Sequence, residues 1–282
     1  LMCPHCDVAL SFHKQENQLK CHICDYTMNS EVRCQKCGGK TFAQFGYGTQ
    51  KVQEVIEAMF PNAKTLRMDR DTTRNKNGHQ IILDQFENHQ ADILIGTQMI
   101  AKGLDYPNVT LVGILNSDSG LNRLDFRSQE DVFSLIMQSA GRSGRSDKKG
   151  DVFLQVYNPE HFVIQSVMKQ DYYAFFQQEM KYRHNGQYPP YTYLASIYIQ
   201  HIHLDKVITS LKFVSEALME CPFKRLGPTN LTRLKGIHRY RILLKTKDLQ
   251  AMIDYLNQLV VQYDMNKCQA GIKIEINPHY VE

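Results

Sequence analysis

Gln138-Ser139-Ala140-Gly141-Arg142-Ser143-Gly144-Arg145 separates one glutamine and two arginines by residues too small to obstruct a phosphate. On a helix, positions 138, 142 and 145 stand at i, i+4 and i+7 and share one face. They can converge on a single anion. A guanidinium stays charged, offers donors in a fixed fork and stabilises charge developing on a transferring phosphoryl group, so the spacing reads as an arginine-finger arrangement. The plainer reading is a helix C-terminus whose basic residues complement the dipole, with Gly141 and Gly144 ending it. That reading leaves the glutamine and both small spacers unexplained.

Ahead of Gln138, the residues Val132, Phe133, Ile136 and Met137 recur at helical spacing and form a core-facing stripe that anchors the arginines. Short apolar runs at Thr65 to Met68, Ile93 to Ile95, Val109 to Leu115 and Val152 to Val156 read as buried strands. Helical segments lie between them, as at Val52, Val55, Ile56, Met59 and Phe60. Strands alternating with helices imply a parallel sheet, which puts the loop from Gly96 to Pro107 at a strand's carboxyl end, where such sheets bind ligands. Thr97 and Gln98 follow the strand there. A short helix starting at that point aims its first free N–H groups at an anion, or is simply a capped helix that Gly103 stops.

The chain has 282 residues, enough for two domains and a small appendage, with 43% hydrophobic and 22% charged residues, as in ordinary globular proteins. Its formal net charge of +4 permits a polyanionic partner without requiring one. No run of about 18 apolar residues and no charged-then-apolar leader occurs, so neither a membrane span nor a signal peptide is indicated, and the chain reads as cytoplasmic. Of eight cysteines, six form Cys3-x-x-Cys6, Cys21-x-x-Cys24 and Cys34-x-x-Cys37, a spacing that in a reducing compartment argues for zinc. Two knuckles complete one tetrahedral site and three leave a pair over; spacing alone also permits Cys21/Cys24 to pair with Cys34/Cys37.

The run Ile93-Leu94-Ile95-Gly96-Thr97-Gln98-Met99-Ile100-Ala101-Lys102-Gly103-Leu104-Asp105 resembles motif V of superfamily 2 helicases, and the arginine-rich run resembles their motif VI. With Gly46-Tyr47-Gly48-Thr49, Asp69-Arg70-Asp71-Thr72-Thr73, Asp125-Phe126-Arg127 and the cysteine pairs, the whole chain resembles the PriA family of primosomal replication-restart helicases. The resemblance implies an α/β fold: a RecA-like second helicase lobe at 46–186, a zinc-binding module at 1–45 and a C-terminal α+β domain at 187–282. It assigns Gln138, Arg142 and Arg145 to the γ-phosphate of ATP, Gly103 and Asp105 to the nucleotide, and Thr97, Gln98 and Lys102 to the DNA backbone. It pairs Cys3/Cys6 with Cys21/Cys24 on one zinc and leaves Cys34/Cys37 as half of a second site whose other knuckle lies upstream. Leu1 stands only two residues before the first cysteine, so a fragment lacking the first lobe is expected.

The dipeptide Pro189-Pro190 marks a boundary after a long helix expected at about 159–185. Beyond it the pattern gives strand (193–203), helix (205–219), strand (224–226), strand (239–246), helix (249–263) and strand (272–276), the ferredoxin-like order. From Phe223 to Lys247 eight cations occur without a carboxylate; Arg239 and Arg241 alternate on one strand face, directed at a polyanion or solvent. The resemblance implies forked and single-stranded DNA, single-stranded DNA-binding protein and other primosome proteins as partners. No Gly-x-x-x-x-Gly-Lys-Ser/Thr occurs, so this stretch alone is not expected to hydrolyse ATP, and Mg2+ and ATP belong to the intact protein. The alternatives are another superfamily 2 DNA translocase, or a non-catalytic zinc-ribbon adaptor that binds nucleic acid.

Overall fold

The computed structural model describes residues 1–6, 8, 10–13, 17–21, 23–30, 32–33, 38–39, 48–69, 72–73, 77–101, 108–123, 125–141 and 150–280. The chain divides into two compact units, 1–42 with 124–126 and 180–282, and 43–123 with 127–179.

In the first unit, β8 (Tyr193–His201), α6 (Leu204–Ala217), β9 (Lys224–Leu234), β10 (Ile237–Thr246), α7 (Leu249–Met265) and β11 (Gly271–Ile276) follow in chain order. The four strands pair antiparallel in the order β11-β8-β10-β9. Alternation along β8 and β10 sends Ala195, Ile197, Ile199, Ile242 and Leu244 to one face. There they pack with Val207, Leu211 and Val214 of α6 and Met252, Leu256 and Leu259 of α7, all buried. Each of the Ile, Leu, Val and Met side chains among them contributes about 1.5–3 kcal/mol by leaving water. The Asp248 carboxylate accepts from the Ala251 amide at 3.0 Å and starts α7; the Tyr263 hydroxyl closes its far end by donating to the Ala270 carbonyl at 2.7 Å.

The same unit holds the cysteine-rich segment, where β1 (Ser11–His13), β2 (Gln18–Lys20) and β3 (Thr27–Asn29) make a small antiparallel meander. Three-residue strands bury almost nothing. Among the described residues its interior groups Cys3, Cys6 and Cys21, flanked by Val8, Leu10, Ile23, Cys24 and Tyr26, and β2 adds the buried Leu19.

The second unit contains α1 (Thr49–Met59), β4 (Thr65–Met68), α2 (Gly78–Glu87), β5 (Ile93–Gly96), β6 (Leu111–Ile114), α3 (Ser128–Ala140), β7 (Asp151–Leu154) and α4 (Phe162–Met168). The strands pair parallel, β4 with β5 and β6 with β7, as two separate pairs among the described residues. Val132, Phe133 and Ile136 of α3 pack against Val163, Ile164 and Val167 of α4 and against Phe175 of α5 (Tyr172–Gly186), a helix that runs on past the unit boundary. The helix expected over 159–185 is thus two helices. Gln170 adopts a left-handed φ of 53° between them, and the Asp171 carboxylate accepts from the Ala174 amide at 2.8 Å, so an Asx cap starts a new helix where aromatic periodicity reads as continuous.

Candidate metal centre and anion-facing surfaces

The Sγ atoms of Cys3, Cys6, Cys21 and Cys24 all lie within 4.8 Å of one another, and those of Cys3 and Cys24 are 3.6 Å apart. Zn–S bonds of about 2.3 Å in a tetrahedron put the sulfurs about 3.8 Å apart, so this donor set fits zinc. The two knuckles are presented by turns: the Cys3 amide donates to the Val8 carbonyl at 2.9 Å and the Cys21 amide to the Tyr26 carbonyl at 2.8 Å. Burial pushes the Cys21 thiol up, but amide donors at Cys24 and Ile23 and the neighbouring thiols of Cys24 and Cys3 outweigh it and bring it to about 7. At Cys24 the Tyr26 amide acts downward, while burial and the thiols of Cys3, Cys21 and Cys6 push it up to about 12. A divalent cation displaces the protons that the four thiols carry without it. Four thiolates on one ion would leave no open position, which is the donor set of a structural site. Cys34 and Cys37 lie outside the described residues.

Gln138 is exposed on the last turn of α3, whose C-cap is Gly141; the Gly141 amide donates to the Met137 carbonyl at 2.9 Å. Arg142 and Arg145 lie outside the described residues, as do Lys102, Gly103 and Asp105. Thr97 and Gln98 are exposed where β5 ends in a short 3-10 turn, Gln98–Ala101, and the Thr97 carbonyl accepts from the Ile100 amide at 3.1 Å. Gly96 makes this turn possible. A Cβ there would stand 2.5 Å from the Met68 carbonyl oxygen and 2.8 Å from the Ile100 side chain.

Asp69, which the sequence shows only as the head of a family run, gains a structural role here. Its carboxylate accepts from the Thr49 hydroxyl at 2.5 Å and from the Thr72 amide at 3.0 Å, tying the first residue of α1 to the end of β4. The acidic residue at the head of the Asp-Arg-Asp-Thr-Thr run is the only signal of this in the sequence.

On the C-terminal sheet, the face turned away from α6 and α7 carries Tyr198, Gln200, Arg239, Arg241 and Lys273, by the register of β8 with β10 and β11. An open cleft of about 550 Å3 is lined by Tyr198, Gln200, Arg239, Lys273, His279 and Tyr280, among others. The Nε and Nη1 atoms of Arg241 are buried and find no hydrogen-bond partner among the described residues. Other cations of the basic stretch serve the fold: Arg225 donates to the Ser215 carbonyl at 3.0 Å and Lys224 to the Gln187 amide oxygen at 2.9 Å. Lys245 is buried, donates to the Gly186 carbonyl at 2.8 Å and sits 3.2 Å from the Tyr188 ring centroid. Burial, and then Lys224 beside it, hold its pKa down to about 8.

Three family descriptions match consecutive parts of the chain. They are the PriA DNA helicase Cys-rich region domain over residues 3–28, the helicase conserved C-terminal domain over 31–147 and the primosomal protein N C-terminal domain over 184–279. Proteins named replication restart protein PriA are similar along most of the chain. That of Bacillus subtilis is 39% identical over 98% of the chain, that of Chlamydia pneumoniae 41% over 87% and that of Synechocystis 39% over 88%. The chain spans about a third of their lengths: 35%, 34% and 31%. Among the described residues, no helix is long and apolar enough to cross a membrane.

Proposed function

The chain belongs to the PriA replication restart family, and from that premise we propose that it is the C-terminal part of an ATP-dependent 3′-to-5′ DNA helicase that restarts stalled forks and assembles the primosome. The observation that carries this reading is the closed four-cysteine centre in the same chain, and in the same order, as a helicase C-terminal domain and a primosomal C-terminal domain. A four-cysteine centre ahead of the motor lobe fits a translocase of another kind less well, and residues 3–28 match the Cys-rich region of PriA helicases. Neither rival reading gains support from the relatives.

In this proposal residues 1–45 form the zinc module, 46–186 the second motor lobe and 187–282 a ferredoxin-like domain. ATP and Mg2+ sit between this lobe and the first lobe of the intact protein. Gln138, Arg142 and Arg145 face the γ-phosphate and stabilise its developing charge, while Gly103 and Asp105 border the nucleotide. Thr97, Gln98 and Lys102 hold the DNA backbone, with the N–H groups at the end of β5 as further donors. The sheet face with the half-buried Arg239 and Arg241 receives polyanion at the fork, and single-stranded DNA-binding protein and other primosome proteins dock on the C-terminal part. One zinc is held by Cys3, Cys6, Cys21 and Cys24; Cys34 and Cys37 are half of a second site. Residues 1–282 alone do not hydrolyse ATP, and the protein works in the cytoplasm.

The test is Arg145→Ala in the full-length protein. DNA-stimulated ATP hydrolysis should fall by a factor on the order of 10³ or more while ATP still binds. Turnover at the unaltered rate contradicts the finger assignment.

A further inference from the structure

The hairpin tip between β9 and β10 closes on the first cysteine knuckle, 229 residues away in sequence. Three hydrogen bonds make the contact. The Lys235 amide donates to Cys6 Sγ at 3.1 Å, the Gly236 amide to the His5 carbonyl at 2.7 Å, and the Arg233 guanidinium to the Pro4 carbonyl at 2.9 Å. Lys235 and Gly236 both have left-handed backbones, with φ of 51° and 80°, in a two-residue loop between the paired residues Leu234 and Ile237. Such a tight loop can turn two successive N–H groups to one side, which is how backbone nests receive negative charge. The Sγ that accepts here belongs to the four-thiol centre.

A zinc ion with four thiolates carries a net charge of −2, and donors to the sulfurs spread that charge and fix the ligand directions. Within the module the His5 amide supplies one such donor, to Cys3 Sγ at 3.4 Å. The Lys235 amide supplies another from outside it. Among the described residues β9 is an edge strand that pairs with β10 alone and is exposed along most of its length, so its own sheet gives the tip little burial.

We propose that the Leu234–Ile237 turn is the outer shell of the metal centre: Lys235, through its backbone N–H, positions the Cys6 thiolate, and metal loading in turn locks the tip of the C-terminal sheet onto the module. The coupling is reciprocal. Whatever factor the docked tip adds to zinc affinity, bound zinc adds to the equilibrium for docking the tip. The coupling is confined to the tip: a loss of zinc loosens a strand edge far along the chain, while the apolar core under α6 and α7 keeps its own stability.

The proposal rests on Cys3, Cys6, Cys21 and Cys24 holding zinc, so elemental analysis of each sample separates failure of that premise from failure of the coupling. In the zinc-loaded full-length protein, zinc loss to an excess of a colour-forming chelator is timed for four chains: unaltered, Arg233→Ala, Lys235→Pro and Lys235→Asn. Proline has no N–H and cannot adopt a φ of 51°, whereas asparagine keeps the amide and tolerates the left-handed region. Zinc loss about 10-fold faster or more in Lys235→Pro, a smaller acceleration in Arg233→Ala and the unaltered rate in Lys235→Asn are expected. Hydrogen exchange on the unaltered chain supplies a measurement independent of any variant: the amides of Lys235 and Gly236 should lose protection when zinc is removed. Equal zinc loss in all four chains, or protection at 235 and 236 that does not depend on metal, overturns the proposal.

Discussion

The two sheets of the first unit are built on opposite principles. The C-terminal sheet lays two helices on one face and buries a continuous apolar core; the meander of β1, β2 and β3 has strands of three residues and an interior made of cysteines. A core of the first kind is stable through area removed from water, and a core of the second kind through metal bonds. Neighbouring regions can therefore be dismantled separately.

Metal removal gives the largest contrast. Structural zinc contributes about 10–16 kcal/mol of apparent binding free energy, so chelation, or Cys6→Ser, should erase amide protection through β1 to β3. Core amides such as those of Ile197 and Leu244 should keep theirs, as hydrogen exchange will read. The converse change is Leu244→Ala, which empties a fully buried position under α6 and α7. A loss of about 2–5 kcal/mol in urea unfolding of the C-terminal domain is expected, with zinc content unchanged. If Leu244→Ala also strips zinc, the two cores are not separate.

Lys245 provides a smaller, pH-dependent effect. Its pKa is about 8 in the folded protein against 10.5 ordinarily, so between those values the unfolded chain holds a proton that the folded chain has released. Stability rises with pH wherever the unfolded state binds more protons. The penalty for the buried ammonium is full below about pH 8 and is relieved towards pH 10.5. Compared with Lys245→Met, the unaltered chain should therefore gain stability across that window, measured as the difference in unfolding midpoint. A constant difference across the window removes burial as the cause.

Legibility followed the same divide. The strands of the α/β lobe could be read from apolar runs, and Thr65–Met68 has the observed bounds because its residues face a helix on one side and a parallel neighbour on the other. In the C-terminal domain β8, β10 and both helices carry a core face and were readable. The sequence pattern marks only 224–226 of β9, which spans eleven residues, since an exposed edge strand has no apolar period to show. The short strands of the cysteine module were illegible for the same reason, although the four cysteines themselves were plain from spacing. Nothing local to Arg233, Lys235 or Gly236 signals a partner at Pro4 to Cys6; that contact exists only after the sheet has formed.

The structure of the zinc-loaded protein, phased at the zinc absorption edge, tests the account most directly. It should place an anomalous peak about 2.3 Å from each Sγ of Cys3, Cys6, Cys21 and Cys24. A peak held instead by Cys21 and Cys24 with Cys34 and Cys37, and none at Cys3 and Cys6, contradicts it.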